Sequence, residues 1–198
     1  MNQKLIKWTI VLGACAVVLV PLGFHIVNTS WNTGSLISTT FPMLGLLAAS
    51  LMWLHTVSGA LEEWLKQYVD LDYFSHWSSW LILVSFVLHP LLFLILIKFD
   101  VASLFSYQPR AFLFGFLGFF MLITYDIGRA LKKYNFFVRH WDTIRLLSTV
   151  GFLLTFFHSL ALGSDLQEGL LRVLWIFYAV TAALATIYTY GIKRLLRS

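Results

Sequence analysis

The sequence predicts an all-α membrane protein, a bundle of six transmembrane helices with both termini in the cytoplasm. Of its 198 residues, 59% are hydrophobic and only 12% are charged, and the mean hydropathy is +0.80. This composition is far more apolar than that of an ordinary soluble domain. A membrane-spanning helix needs roughly 20 mostly apolar residues. The chain therefore has room for six spans in a single domain, residues 1–198, and none for a soluble catalytic domain.

Polar stretches precede the first two apolar segments. Lys4 and Lys7 come before the first one, and its apolar run continues past Cys15 to Val27. We therefore expect a retained helix and not a cleaved signal peptide. A polar loop at residues 28–34 separates this helix from the second segment.

Charged or turn-forming residues bound the remaining four segments. The third ends at Lys98, the fourth follows the turn before Arg110, the fifth follows Arg145 and the sixth follows Arg172. Each apolar run is long enough for a helical span. In chain order, the six predicted helices cover residues 8–27, 35–60, 77–97, 111–127, 146–163 and 173–192.

The stretch between the second and third helices has a different character. Residues 61–75 alternate acidic side chains and Lys66 with aromatic and leucine side chains. This pattern fits a short amphipathic stretch at the membrane interface, and it equally fits a structured loop with aromatic anchors.

The basic residues predict which side each loop occupies. Assigning the loops to alternating sides places three basic residues on one side: Lys98, Arg110 and Arg172. The other side, which holds both termini, has eleven: Lys4, Lys7, Lys66, Arg129, Lys132, Lys133, Arg139, Arg145, Lys193, Arg194 and Arg197. Since cytoplasmic loops carry the excess of Lys and Arg, both termini are predicted to be cytoplasmic. Helices 3 and 5 then both run outward.

Several function classes are excluded by what the sequence lacks. Cys15 is the single cysteine, so there is no disulfide framework and no cysteine-based metal site. The net charge of +5 lies at the ends of apolar segments and forms no basic stripe, which argues against a nucleic-acid partner. No dinucleotide fingerprint, P-loop or nucleophile with an adjacent base is present.

The six histidines are the main candidates for chemistry, because an ionisable side chain deep in a bilayer is costly. His25 and His55 lie near the ends of helices 1 and 2, and His140 lies in the basic loop before helix 5. His89 and His158 lie well inside their spans.

His89 and His158 are predicted to lie at one depth. His89 is nine residues before Lys98 and His158 is seven before Asp165, so their depths differ by about 3 Å at the α-helical rise. Two parallel helices would then present imidazoles at one level, as axial ligation of a haem requires. The alternative is that each histidine hydrogen-bonds a neighbouring helix.

A second level is predicted nearer the cytoplasm. His76 stands thirteen residues before His89, and Arg145 stands thirteen before His158, which is about 20 Å of helix. His76 is thus a third candidate iron ligand, but the Arg145 guanidinium has no lone pair for iron. Thirteen residues also leave His76 and His89 about 140° apart around an ideal helix. Arg145 could hold a haem propionate or a lipid headgroup, or simply anchor the helix.

Three glycines admit two interpretations. Gly115 and Gly118 in helix 4, with Gly151 in helix 5, could give a flat cofactor room near the backbone. Such glycines more often mark a close helix–helix contact.

Four short stretches carry a resemblance to a known family. Residues 71–77 (LDYFSHW) and 88–90 (LHP) resemble helix 3 of the ferric reductase-like transmembrane domain. Residues 139–145 (RHWDTIR) and 156–160 (FFHSL) resemble helix 5 of the same domain. That superfamily includes NADPH oxidases, ferric reductases and the haem subunit of the periplasmic methionine sulfoxide reductase system.

The resemblance implies a chemistry and a ligand set. Members carry electrons outward through stacked b-type haems held by two histidines on each of these helices. His76, His89 and His158 match three of those positions, and Arg145 stands at the fourth. The resemblance therefore implies an outer haem held by His89 and His158 and leaves a second, inner haem in doubt.

The sequence supports two hypotheses of function. The first is a haem b electron-transfer protein, an oxidoreductase subunit in the cell membrane (the inner membrane if bacterial). It would take electrons from quinol or a cytoplasmic flavoprotein and pass them to an external acceptor or partner reductase. The second is a haem-free scaffold, permease or assembly factor that uses the same helices.

Overall fold

The computed structural model describes residues 2–29 and 36–196, and over these residues the protein is helical with no strand. Most of the predicted 28–34 loop and Arg197 lie outside the described residues. A 3₁₀ turn covers Ser164–Leu166, and a π-helical segment, Tyr188–Ile192, continues α9. In chain order the α-helices are α1 (Gln3–Asn28), α2 (Leu36–Ala60), α3 (Glu62–Leu65), α4 (Leu71–Leu96), α5 (Val101–Tyr107), α6 (Pro109–Ala130), α7 (Asn135–Arg139), α8 (Trp141–Leu162), α9 (Gly169–Ile187) and α10 (Lys193–Leu195).

Six of the helices in the described part of the chain are long and apolar enough to cross a membrane. They are α1, α2, α4, α6, α8 and α9 with its π-helical continuation. The predicted all-α class with six spanning helices is confirmed. Large hydrophobic side chains are exposed along five of them, as expected of surfaces that face lipid, whereas α2 exposes only Leu36 at its start.

Five of the six long helices begin earlier than the apolar pattern predicts, and in two of them, α4 and α8, the added stretch carries a candidate site residue. Helix α4 begins at Leu71 and not at residue 77, because the Asp70 side chain accepts a hydrogen bond from the Tyr73 N–H at 2.9 Å and caps the helix. Helix α8 begins at Trp141 and not at residue 146. The added residues, 71–76 of α4 and 141–145 of α8, include polar side chains. A search for apolar runs leaves such residues out, although their backbone is helical. His76 and Arg145 therefore lie inside helices, near their N-terminal ends.

The chain divides into two compact units, and the first is Met1–Asp100. Within it, α2 packs against α4 and against α1. Small buried side chains, Ser50 on α2 with Ser78 and Ser85 on α4, allow the helices to approach closely. The 61–75 stretch contains α3 and the first turn of α4, separated by a turn. An ion pair of 2.7 Å joins Lys66 to Glu62, and the hydrogen bond that the ammonium group donates to the Glu62 carboxylate raises the pKa of the exposed Lys66 side chain.

The second unit is Val101–Ser198, in which α6 packs along α8 and α9 packs against α8. Gly118 and Gly151 allow the close approach of α6 and α8, since a Cβ placed on Gly118 would lie 3.0 Å from the Gly151 carbonyl oxygen. Of the two interpretations of these glycines, close helix contact is the one that the structure shows. Phe152 and Trp175 are almost fully buried between α8 and α9.

Candidate functional site

His89 contacts the backbone of α2. It lies 18 residues after Leu71, the first residue of α4, and its ring is half-buried. Its Nδ1 atom lies 2.7 Å from the carbonyl oxygen of Phe41, and the Phe41 ring packs beside the imidazole with a centroid distance of 5.8 Å. The imidazole lies directly over Gly45, where a Cβ would come within 2.9 Å of both its Cε1 and its Nδ1 atoms.

His158 makes the same kind of contact in the second unit. It lies 17 residues after Trp141, the first residue of α8, and its ring is half-buried. Its Nδ1 atom lies 3.1 Å from the carbonyl oxygen of Ala111 on α6, and the centroids of the His158 and Phe112 rings are 6.4 Å apart. The imidazole lies over Gly115, where a Cβ would come within 2.7 Å of its Cε1 atom.

The tautomer of both histidines follows from these contacts. A backbone carbonyl oxygen only accepts hydrogen bonds, so the Nδ1 atom of each ring must carry the hydrogen and donate it. In the neutral imidazole the lone pair then lies on Nε2. This is the arrangement typical of a metal-ligating histidine, in which the nitrogen that does not bind the metal donates to a carbonyl or a carboxylate.

The two contacts recur in the same order of elements. In each unit a long helix is followed by a short helix and a second long helix: α2, α3 and α4 in the first, α6, α7 and α8 in the second. In each, the accepting carbonyl lies four residues before the glycine under the ring, and the histidine lies near the C-terminal end of the second long helix. We call each set of histidine, carbonyl and glycine a histidine clasp. The described part of the chain thus contains two clasps, His89–Phe41–Gly45 and His158–Ala111–Gly115.

Helix geometry explains why a glycine belongs in each clasp. The carbonyl of residue i in an α-helix points toward residue i+4, whose N–H it accepts. A side chain approaching that carbonyl from outside the helix therefore passes over residue i+4. With glycine there, the imidazole reaches the oxygen; with any Cβ, it would collide.

Two other histidines use the opposite ring nitrogen. His25 is buried on α1, and its Nε2 donates to the carbonyl oxygen of Thr39 at 3.0 Å. His55 on α2 has its Nε2 2.6 Å from the Ser78 hydroxyl oxygen, and that hydroxyl donates to the Phe74 carbonyl at 2.6 Å. Since the hydroxyl hydrogen is committed to the carbonyl, the ring must donate. Both contacts join one helix to another.

The residues of the predicted inner level are exposed. His76 packs edge-on against Trp77, with centroids 5.9 Å apart, while His89 thirteen residues later faces α2. This agrees with the angle of about 140° expected between them on an ideal helix. Arg145, in the first turns of α8, is exposed too. His140 is exposed and lies against the ring of Phe136, 4.7 Å between centroids.

The chemistry of the clasped histidines fits a haem better than a bare metal ion. Among the described residues, no three His, Cys, Asp or Glu side chains gather as a ligand set for an ion. A haem iron takes four ligands from its own macrocycle and needs one or two from the protein, and neutral imidazole nitrogen is a common one. His89 and His158 each offer such a nitrogen in a half-buried setting.

Sequence reasoning singled out the two histidines by depth but missed most of the groups that they contact. Gly115 carried a signal as a glycine in the middle of an apolar helix. Nothing in the sequence marked Gly45. The carbonyls of Phe41 and Ala111 could not be identified either, because every helical residue has a carbonyl.

The fold and the site define this chain as an all-α protein with six helices able to span a membrane and two clasped histidines. Comparisons of the chain with protein-family models, with curated proteins and with solved structures gave no significant match.

Proposed function

We propose that this chain is a haem b-binding electron-transfer protein of the membrane, in which His89 and His158 would hold one haem. The observation that carries the proposal is the contact of each Nδ1 atom with a backbone carbonyl oxygen, from which the tautomer follows. The histidines that depth alone selects from the sequence are the two whose Nδ1 donates to a backbone carbonyl and whose lone pair is on Nε2. The resemblance of residues 71–90 and 139–160 to the ferric reductase-like transmembrane domain supports the same chemistry.

The residues of the chain have distinct tasks in this proposal. His89 and His158 would hold the haem iron through Nε2. The carbonyls of Phe41 and Ala111 keep the hydrogen on Nδ1 and make each imidazole a stronger electron donor. The rings of Phe41 and Phe112 pack beside the imidazoles. The haem, when bound, supplies one-electron chemistry.

The proposal extends to direction and partners through the resemblance. Electrons enter from quinol or a cytoplasmic flavoprotein and leave outward, to an external acceptor or a partner reductase. Arg145 cannot ligate iron, so His76 has no partner ligand at that position and the chain holds one haem.

A spectrum of the purified protein tests the proposal. Bis-histidine haem is low-spin, and we expect a sharp reduced α-band in detergent or in nanodiscs. His89→Ala and His158→Ala should each abolish this signal, because each removes one axial imidazole. Imidazole added to either variant should restore a six-coordinate spectrum by occupying the vacated position.

Two control variants make the test specific. His25→Ala removes a buried histidine that donates through Nε2, and His140→Ala removes an exposed one. Both should retain the wild-type spectrum. A protein with no haem after expression with excess haem precursor would instead favour the haem-free scaffold or permease, in which the clasps serve only to join helices. An unchanged spectrum in His89→Ala or His158→Ala would refute the ligand assignment.

A further inference from the structure

Gly45 and Gly115 occupy equivalent places in the two histidine clasps. Each lies four residues after the accepting carbonyl and directly beneath the imidazole. Other glycines of the same membrane-spanning helices differ: Gly59 on α2 has open space where its Cβ would be, and Gly118 on α6 faces the backbone of α8. Close approach to an imidazole is therefore a property of these two positions.

We infer that Gly45 and Gly115 are positioning residues that set the tautomer and the basicity of His89 and His158. The inference deepens the proposed function. It rests on that function only in assuming that the two imidazoles bind a haem iron. A Cβ at Gly45 would lie 2.9 Å from Nδ1 of His89, closer than real Cβ atoms approach, and the ring would have to leave the Phe41 carbonyl. The same displacement follows at Gly115, where the Cβ would meet the His158 ring.

Displacing the ring has a chemical consequence. Without the carbonyl acceptor, the hydrogen is no longer held on Nδ1, so part of the population carries it on Nε2 and cannot bind iron. The fraction that does bind is a weaker donor, because the hydrogen bond from Nδ1 increases the electron density on Nε2. When the donor becomes weaker, ferric iron loses more stabilisation than ferrous iron does. The midpoint potential therefore rises.

The first experiment measures haem retention and potential in Gly45→Ala and Gly115→Ala. Loss of an outer-shell partner typically weakens metal binding by about 10- to 100-fold, and we expect haem affinity to fall by that factor. The haem that remains should show a higher midpoint potential than in the wild type. An unchanged affinity and potential in both variants would overturn the inference.

Two glycine variants separate positioning from general loosening of the helices. Gly59→Ala adds the same methyl group to α2 where nothing lies within 4 Å, and should change neither quantity. Gly151→Ala strains the α6–α8 contact, with a Cβ 2.7 Å from that of Met121, but does not touch His158. It should lower the unfolding temperature and leave the potential unchanged. A rise in potential in Gly151→Ala equal to that in Gly115→Ala would contradict positioning.

A second experiment uses the haem-free protein. With ring-¹⁵N histidine in nanodiscs, NMR should place the hydrogen on Nδ1 in His89 and His158, with assignment from the two alanine variants. Gly45→Ala should change the His89 tautomer alone, and Gly115→Ala that of His158 alone. These changes in a protein that never binds haem would sustain the positioning role while refuting the proposed function. Unaltered tautomers in a protein that does bind haem would refute positioning and leave the function intact.

Discussion

Arg145 is the residue at which this chain departs most clearly from the family that it resembles. It lies four residues into α8, and His76 lies five residues into α4, so each has a similar place in its own unit. Both side chains are exposed, and neither is held by a backbone carbonyl as the clasped histidines are. A guanidinium stays protonated and has no lone pair for iron. Under the proposed function, the chain therefore has the ligands for one haem.

We expect about one haem per chain in the purified protein, since Arg145 offers iron no lone pair. Arg145→His would supply an imidazole at the position that the family pattern assigns to a fourth histidine. We expect haem content to rise toward about two per chain in that variant, if the imidazole can act as a ligand opposite His76. Haem extraction and protein determination on the same sample measure the ratio.

Arg145→Gln serves as the matched control, because it removes the charge without adding a ligand. Its haem content should remain at the wild-type value. Two haems in the wild-type protein would contradict the prediction, and His140, five residues before Arg145, would then be the first alternative ligand to replace.

The contact between α8 and α9 depends on one buried indole. Trp175 is 1% exposed, and its Nε1–H donates to the Ser159 hydroxyl at 2.8 Å. Phe156 and Tyr178 pack against the same indole, at centroid distances of 5.9 and 5.8 Å. Ser159 follows His158 directly, so this contact fixes the segment of α8 that carries His158. Helix packing in a membrane relies on such close contacts and interhelical hydrogen bonds.

Trp175→Ala should destabilise the protein by about 3 kcal/mol. This value is at the low end of the cost of truncating a buried tryptophan to alanine. The low end applies because lipid, which would surround the separated helices, is as apolar as the protein interior. Thermal unfolding in detergent, followed by circular dichroism, measures the change. Val173→Ala on the exposed face of α9 should leave the unfolding temperature unchanged. Equal stability of the two variants would show that Trp175 does not secure α9.

The number of spanning helices constrains the topology of the whole molecule. If all six long helices cross the bilayer, the even number of crossings places both termini on one side. The basic residues, eleven against three, predict that this side is the cytoplasm. The direction of electron flow in the proposed function depends on that assignment.

Cysteine labelling tests the orientation. In a Cys15→Ser background, Ser106→Cys on the exposed surface of α5 should react with a membrane-impermeant maleimide in intact cells. Lys133→Cys, also exposed but predicted to be cytoplasmic, should react only after the cells are lysed. The reverse pattern would invert the topology and with it the direction of electron transfer.

The sequence alone determined the all-α class and the six helices able to span a membrane, and it singled out two histidines as candidates. These follow from local properties, because the free energy of moving a residue into a bilayer depends mainly on its side chain and its depth. The ends of α4 and α8 were less predictable, since polar residues such as Asp70 cap a helix where the apolar run has not yet begun. Only the tertiary structure decided which carbonyl each imidazole meets. His89 and Phe41 are 48 residues apart, and His158 and Ala111 are 47 apart. The tautomer of each histidine and the role of its glycine are set by the pairing of α2 with α4 and of α6 with α8, and that pairing depends on the packing of whole helix surfaces.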